Sequence, residues 1–377
     1  MTLKFPLRPA FALLLGLGAA FAAQAATLDD RLERPSQPSA LASRALLTDV
    51  QTVGERQVMV GAAGHILLRD ANGQVQQARV PVDLLLTAVQ FVDARNGWAV
   101  GHDGVVLHSA DGGESWSKQL DGRAINPLLL EAAQAQVDRA EQAADGMPDD
   151  EQLASALDNA RFALDDAQAA SASGPSRPLL GLWFRNARQG WVVGAYGVFL
   201  RTDDGGASWQ PVSGLDNPDR LHLNSVLGVA DGSLLVAGEG GRLYRSTDGG
   251  EHWQAAQQPT DASLYALAEL SGGQVMASGF GGTLLVSDDH GASWTPRELP
   301  VKASLYGIRQ LSSGAVVLAG QAGVLLYSTD GKTFEQWRST GKAALLDVSE
   351  TRAGQLLLVG NAGLQVLPMI PFKEHAK

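Results

Sequence analysis

From residue 45 to residue 365 the chain alternates apolar runs of four to six β-prone residues with short polar turns, in a repeating order. In "GWAVGHDGVVLHS", "GWVVGAYGVFLRT", "SLLVAGEGGRLYRS", "QVMASGFGGTLLVS" and "AVVLAGQAGVLLYS" two such runs flank a Gly-x-x-Gly turn. This pattern predicts β-hairpins, with glycine supplying the positive φ that tight hairpin turns require. "QVMVGAAGHILLRD" and "QLLLVGNAGLQVL" have the same form, so the first turn glycines are Gly61, Gly101, Gly194, Gly238, Gly279, Gly320 and Gly360. Seven hairpins are predicted.

A further strand-like stretch precedes each hairpin, as in "LTAVQFVD" and "LYGIRQL". Thirteen residues before the turn glycine stand Ala88, Gly181, Ser225, Ala266, Gly307 and Asp347, nearly all small. The first strand of a propeller blade lines a crowded central channel, so one small face and one core-forming face fit that position.

Downstream of the hairpins an acidic turn recurs: "HSADGGESW", "RTDDGGASW", "RSTDGGEHW", "VSDDHGASW" and a shortened "YSTDGKTF". Trp209, Trp253, Trp294 and Phe334 follow one another at a little over or at forty residues, in the range of propeller blades. Each turn sets a hydroxyl, an aspartate, a glycine and a tryptophan in order: Ser109, Asp111, Gly113 and Trp116; Thr202, Asp204, Gly206 and Trp209; Ser246, Asp248, Gly250 and Trp253; Ser287, Asp289, Gly291 and Trp294. Aspartate accepts bonds from its own turn, glycine supplies φ, and tryptophan opens the outer strand against the neighbouring apolar layer. These sixteen residues are therefore read as structural.

The turn is the Asp-box, or BNR, repeat, and with "NGWAVG" and "QGWVVG" it resembles the photosystem II stability and assembly factor family over most of residues 45 to 365. The resemblance implies an all-β, seven-bladed propeller that is a non-catalytic binding, assembly or accessory factor for a membrane protein complex. Similar bacterial proteins with a helical insertion look like envelope factors, and an RND-type transporter is one client the resemblance suggests.

The insertion is visible as a break in the period: Gly101 to Gly194 is more than twice the usual interval. Within it, "NPLLLEAAQAQVDRAEQAAD" and "DDEQLASALDNARFALDDAQAAS" are rich in strong helix formers. An Asn-Pro start, acidic caps and "DGMPDD" between them predict an antiparallel helical hairpin at 122–177, between blades two and three. Leu130, Val137, Leu153, Leu157 and Leu164 give it an apolar face, to brace the blades or to dock a partner.

The amino terminus carries Lys4 and Arg8, an apolar stretch from Ala10 to Ala23, and Ala23-Gln24-Ala25. That is the pattern of a cleavable secretory signal over residues 1–25, which places the product in a periplasm without direct membrane insertion. Residues 26–44 are expected to form an amino-terminal segment, 45–370 the propeller and 371–377 a tail. Either "MIPF" or "RLERPSQPSAL" has to supply the last outer strand, the prolines allowing the latter only an edge position. The absence of cysteine excludes disulfides, and a net charge of −11 disfavours nucleic-acid partners.

Asp-box turns invite a sialidase reading. By resemblance that chemistry needs three arginines around a carboxylate, a tyrosine paired with a glutamate, and an aspartate acid/base at the channel mouth. The residues inside the seven turns are Ala62-Ala63, His102-Asp103, Ala195-Tyr196, Glu239-Gly240, Phe280-Gly281, Gln321-Ala322 and Asn361-Ala362, with no arginine. No histidine pair, phosphate loop or dinucleotide fingerprint is present, so no enzyme activity, metal or cofactor is expected. The turn face is the expected binding face, with His102, Asp103, Tyr196, Glu239, Arg242, Phe280, Gln321 and Asn361 on it and Leu130, Val137 and Leu157 on the insertion. A glycan-binding or sialidase-like propeller remains the alternative, and would gather Tyr196, Glu239, Arg242 and Phe280 around one pocket. Tyr265 and Tyr306, in matching "SLY" stretches, either stack a ligand or pack the blades.

Overall fold

The computed structural model describes residues 30–369 except 148, 258, 339 and 340. The expected signal, residues 1–25, and the tail, 371–377, lie outside the described residues. Seven antiparallel sheets follow one another along the chain. Blade 1 runs Leu47–Val53, Arg56–Gly61, Ile66–Arg69 and Val75–Gln77. Blades 2 to 6 repeat that up-and-down order from inner strands Leu86–Phe91, Leu179–Phe184, Leu223–Gly228, Leu264–Glu269 and Leu305–Gln310. Among the described residues blade 7 has three strands, Leu345–Glu350, Gln355–Gly360 and Gln365–Pro368. Each inner strand packs against the next, and that of blade 7 packs against that of blade 1, so the ring closes as a seven-bladed propeller.

The hairpin glycines are needed for a different reason from the one the turn pattern suggests. Gly61 is extended, and a Cβ there would stand 2.1 Å from Leu46 O at the entry to the inner strand. Gly101, Gly238 and Gly360 meet the same obstacle at 2.4, 2.4 and 2.1 Å. The left-handed φ falls two and three places later, as at Ala63 (55°) and Gly64 (67°). Close backbone approach, not turn handedness, therefore fixes the first glycine.

The core is divided among the blade interfaces. One buried cluster lies between each pair of neighbours, seven in all among the described residues. The aromatic residue that ends each acidic turn enters the cluster shared with the preceding blade: Trp116 with blade 1, Trp209 with blade 2, Trp253 with blade 3, Trp294 with blade 4 and Phe334 with blade 5. Burying a ring of that size is among the largest apolar contributions a single side chain makes.

Polar clamps tie the same neighbours. Gln51 exchanges two bonds with the backbone of Phe91, and Gln90 does so with Phe184. Glu269 accepts the N–H of Ala230, and Glu350 that of Ser312.

The described part of the amino-terminal segment adds no strand to blade 7. It runs instead over blades 1 and 2, where Leu32 is buried in their shared core and Ser36 N–H donates to Val80 O at 3.0 Å. Arg31 and Arg34 both pair with Asp83 on that path, which draws the segment away from the last blade. It returns to the seam at Ala42, buried in the core of blades 7 and 1, and at Ser43, whose carbonyl accepts the N–H of Leu364 at 2.8 Å.

Between blades 2 and 3 stand α1 (Gly122–Ala144) and α2 (Glu151–Ser173). Helix α1 begins one turn before the predicted Asn-Pro start, because the Asp121 carboxylate accepts the Arg123 N–H at 3.0 Å and caps the chain there. Asp150 caps α2 through the N–H groups of Gln152 and Leu153.

Candidate functional site: the groove beneath the helical hairpin

The two ends of the disc differ in how their turns are built. At one end each acidic turn closes on itself. Ser109 Oγ donates to Asp111 at 2.8 Å and accepts the Gly113 N–H at 2.9 Å, while Trp116 Nε1 donates to Gly113 O at 3.0 Å. The hydroxyl–aspartate and glycine–hydroxyl bonds recur around Asp204, Asp248 and Asp289, with His252 Nδ1 in place of a serine hydroxyl at Asp248, and Trp253 and Trp294 repeat the indole bond. With the Ser208 and Thr202 hydroxyls on it, Asp204 is held down at about 2. The backbone N–H groups of Thr333 and Lys332 hold Asp330 at about 2 as well. Carboxylates so fully engaged by their own turns are architectural.

The opposite end carries the Gly-x-x-Gly turns and the helical hairpin. The hairpin is fixed at its root. Ile125 enters the core of blades 2 and 3, and Asn126 Nδ2 donates to Gly174 O at 3.2 Å. Lys118 joins Glu33 at 2.7 Å and Asp121 at 2.9 Å, and Arg123 pairs with Asp30 and Glu33, so the amino-terminal segment clamps the same root. Ala133, Val137, Ala160 and Ala167 are buried on the helices, where small side chains permit close approach. Phe162 on α2 and Met147 at the tip stay exposed, at 64% and 59%.

Helix α1 stands off the outer edge of blade 3 and leaves a groove there. Two adjoining cavities of about 520 and 380 Å³ share Gln136, Arg139, Gly197, Phe199, Val212, Ser213 and Arg220. Leu129, Val198 and Val212 give the groove apolar walls. Its charge is basic, in a chain whose net charge is −11. Arg177 Nη2 meets Asp166 at 3.0 Å, Arg220 Nε meets the same carboxylate at 3.4 Å, and Arg139 lines both cavities. Three guanidinium groups against one carboxylate make a site for an anionic group flanked by apolar surface.

Tyr196 stands at the mouth of this groove. It holds φ at 56°, as Ala63, Asp103 and Ala322 do in the matching turns and Gly240 and Gly281 in blades 4 and 5, and it is the bulkiest of these side chains, 51% exposed. A bulky side chain in the left-handed region is uncommon, and such strain collects at recognition sites. The Arg177 guanidinium lies 5.8 Å from the ring centroid, and the His222 ring is 5.0 Å from it. His222 in turn meets Glu239 Oε2 at 3.3 Å.

Of the candidate residues, Tyr196 and Glu239 thus come together beside the groove, bridged by His222, which the sequence did not single out. Val137 is buried, while Leu130 and Leu157 are half-buried on the hairpin. His102, Phe280, Gln321 and Asn361 are exposed at separate turns around the rim, and Asp103 is half-buried there, its carboxyl raised by burial. Arg242 and Phe280 line neither the groove nor the channel, so the four residues of the glycan alternative do not share a pocket. Tyr265 and Tyr306 lie with their rings 5.5 Å apart and tilted by 39° on the wall of the central channel. Arg139, Asp166, Arg177 and Arg220 escape sequence reading because they lie on the insertion and on an irregular loop, outside the repeat. Among the described residues no group of three or more His, Asp or Glu is placed to hold a metal, and no helix is long and apolar enough to cross a membrane.

Comparison with known proteins adds a family. Residues 175–259 match the family described as photosynthesis system II assembly factor YCF48. The photosystem II assembly lipoprotein Ycf48 of Synechococcus sp. (strain CC9902) is 38% identical over 71 residues, which are 19% of this chain and 21% of that protein. The match therefore covers about a fifth of the relative's own length. Among solved structures, YCF48 bound to D1 peptide superposes with a TM-score of 0.59 at 18% identity, over 90% of this chain and 98% of that one. YCF48 from Cyanidioschyzon merolae gives 0.58 at 15% identity, over 88% and 97%. A streptogramin B lyase gives 0.63 at 11% identity, over 88% and 97%, so the fold also carries enzymes. With its repeat, its ring and the matched segment, the chain is a BNR-repeat β-propeller that resembles the photosystem II assembly factors.

Proposed function

We propose that the protein is a non-catalytic docking factor for a membrane protein complex, and that it receives the client in the groove between the helical hairpin and blade 3. The observation that carries this reading is the groove itself: apolar walls, three arginines and a strained exposed tyrosine, in an otherwise acidic molecule. Such a site suits an extended client segment bearing a carboxylate among apolar residues, since guanidinium forks bind carboxylates bidentately. The YCF48 structure with a D1 peptide supports a peptide ligand on this fold. An envelope transporter of the RND type, reached from a periplasm after signal cleavage, is the client we favour.

A carboxylate-bearing glycan is the second reading, favoured by the same three arginines. Hydrolysis of it is disfavoured because Glu239 is engaged by His222 and not by Tyr196. A photo-reactive amino acid at Gln136, in the groove, tests the proposal in intact cells. Docking predicts covalent capture of one membrane protein from that position and none from a control at Asp231, on the acidic-turn face. Equal capture from both positions, or none from either, would overturn it.

A further inference from the structure

Among the described residues blades 1 and 7 meet without a shared strand, and two carboxyl groups meet at their seam. Strand register places Asp49 opposite Val60 and Asp347 opposite Val359. The same position holds Ala88, Gly181, Ser225, Ala266 and Gly307 in the other five blades. One ring of the channel is thus built of five small residues and two aspartates, and the aspartates stand on the two strands that have to find each other.

The contacts around them are few. Asp49 accepts the N–H of Val50 at 2.8 Å through Oδ1 and that of Val89 at 2.7 Å through Oδ2. Asp347 Oδ2 accepts the Val50 N–H at 3.3 Å and takes Arg309 Nη2 at 3.1 Å. Arg309 also donates to Val348 O and Val50 O, at 3.1 and 3.3 Å. The facing charged groups are therefore Asp347 from blade 7 and Arg309 from blade 6, while the inner strand of blade 2, Leu86–Phe91, carries no titratable side chain. One guanidinium, already paired with Asp347, serves both carboxyl groups. Two carboxylates so close are not both ionised without repulsion.

We propose that the ring is closed by a carboxyl–carboxylate pair in which a protonated Asp49 donates to the Asp347 carboxylate. The seam is then the part of the disc whose strength is set by pH. Burial, followed by the charge of Asp347, pushes the Asp49 carboxyl up to about 8, in keeping with that geometry. In an opened seam the same group titrates near its ordinary value of about 4. The closed form therefore binds the extra proton between those limits. Closure is strongest below about pH 4, weakens by up to about tenfold per pH unit as pH rises towards 8, and levels off above it.

Hydrogen exchange followed by mass spectrometry tests this on the full protein at pH 5.5 and pH 8, after correction for intrinsic exchange. The expected result is a loss of protection of tenfold or more in 47–53 and 345–350 at the higher pH, with blades 3 and 4 unchanged. Asp49→Asn is expected to show equal protection at both values. Asp347→Asn removes the neighbouring charge and leaves burial acting on Asp49, so it is expected to show a smaller pH dependence than the wild type, and it carries the test if the first variant fails to fold. A uniform change across all seven inner strands overturns the proposal, as does an Asp49→Asn variant that keeps the wild-type dependence. If neither variant folds, the wild-type comparison of seam against blades 3 and 4 decides alone.

Discussion

Each acidic turn satisfies its own polar groups, and this sets its response to acid. The Asp204 carboxylate is held at about 2 by Ser208 and Thr202, and Asp330 at about 2 by the N–H groups of Thr333 and Lys332. A group whose folded value lies below its unfolded value of about 4 contributes stability that is present above pH 4 and is lost as pH falls towards 2. Replacing Asp204 and Asp330 together by asparagine should lower stability at pH 7 and flatten the decline between pH 4 and 2, as read by fluorescence during acid titration. Trp116, buried between blades 1 and 2 and edge-on to Phe91 at 5.7 Å, belongs to the same device. Trp116→Ala should cost about 3–5 kcal/mol in urea unfolding. Tyr196→Gly should behave differently: the turn conformation becomes unstrained, so the melting temperature holds or rises while client capture weakens. The acidic turns were legible from sequence because all their partners lie within a few residues. Asp49 was not, because the first hairpin of blade 1 pairs Leu47 with Gly61 while blade 2 pairs Leu86 with Gly101, one residue further apart, so counting back from the turn glycine lands on Thr48.

The blade is the repeating element, and the helical hairpin is the departure from it. Strand order and blade number followed from hydrophobic pattern alone, since each interface is filled by residues at repeating positions. The hairpin's existence followed from the broken period and its alanine-rich composition. Its seating on blade 3 did not, because Asp166, Arg177 and Arg220 meet across elements with no sequence relation. Its root is part of the propeller core through Ile125 and Leu129, whereas beyond Leu130 the helices pack mainly on each other and reach blade 3 through the Asp166–Arg220 pair. Replacing residues 131–169 by a short Gly-Ser linker should therefore leave the ring folded, with near-wild-type circular dichroism in the β region and a melting temperature within a few degrees. The clamp made by Asp30 and Glu33 on Arg123 and Lys118 is exposed, so Glu33→Gln should change stability by less than about 1 kcal/mol.

The whole molecule is a disc with the acidic turns at one end and the helical hairpin and its groove at the other. The acidic turns weaken below about pH 4 and the Asp49–Asp347 seam weakens as pH climbs towards 8, so stability should be greatest near pH 4 to 5 and decline on both sides. Thermal scans from pH 2 to 9 check that shape. Ring closure was the part of the global fold that sequence left open between two segments, because neither carries a strand pattern of its own. In the described residues the amino-terminal segment is held over blades 1 and 2 by Leu32, Arg31 and Arg34.

The central claim is that the hairpin and blade 3 together receive a membrane protein. Its most direct test is cross-linking in intact cells with mass spectrometry, comparing the full protein with the linker variant lacking residues 131–169. The account predicts one membrane protein captured by the intact form and lost with the linker, while the ring stays folded. An unchanged captured set from the folded variant would contradict it and leave the hairpin as a brace for blade 3.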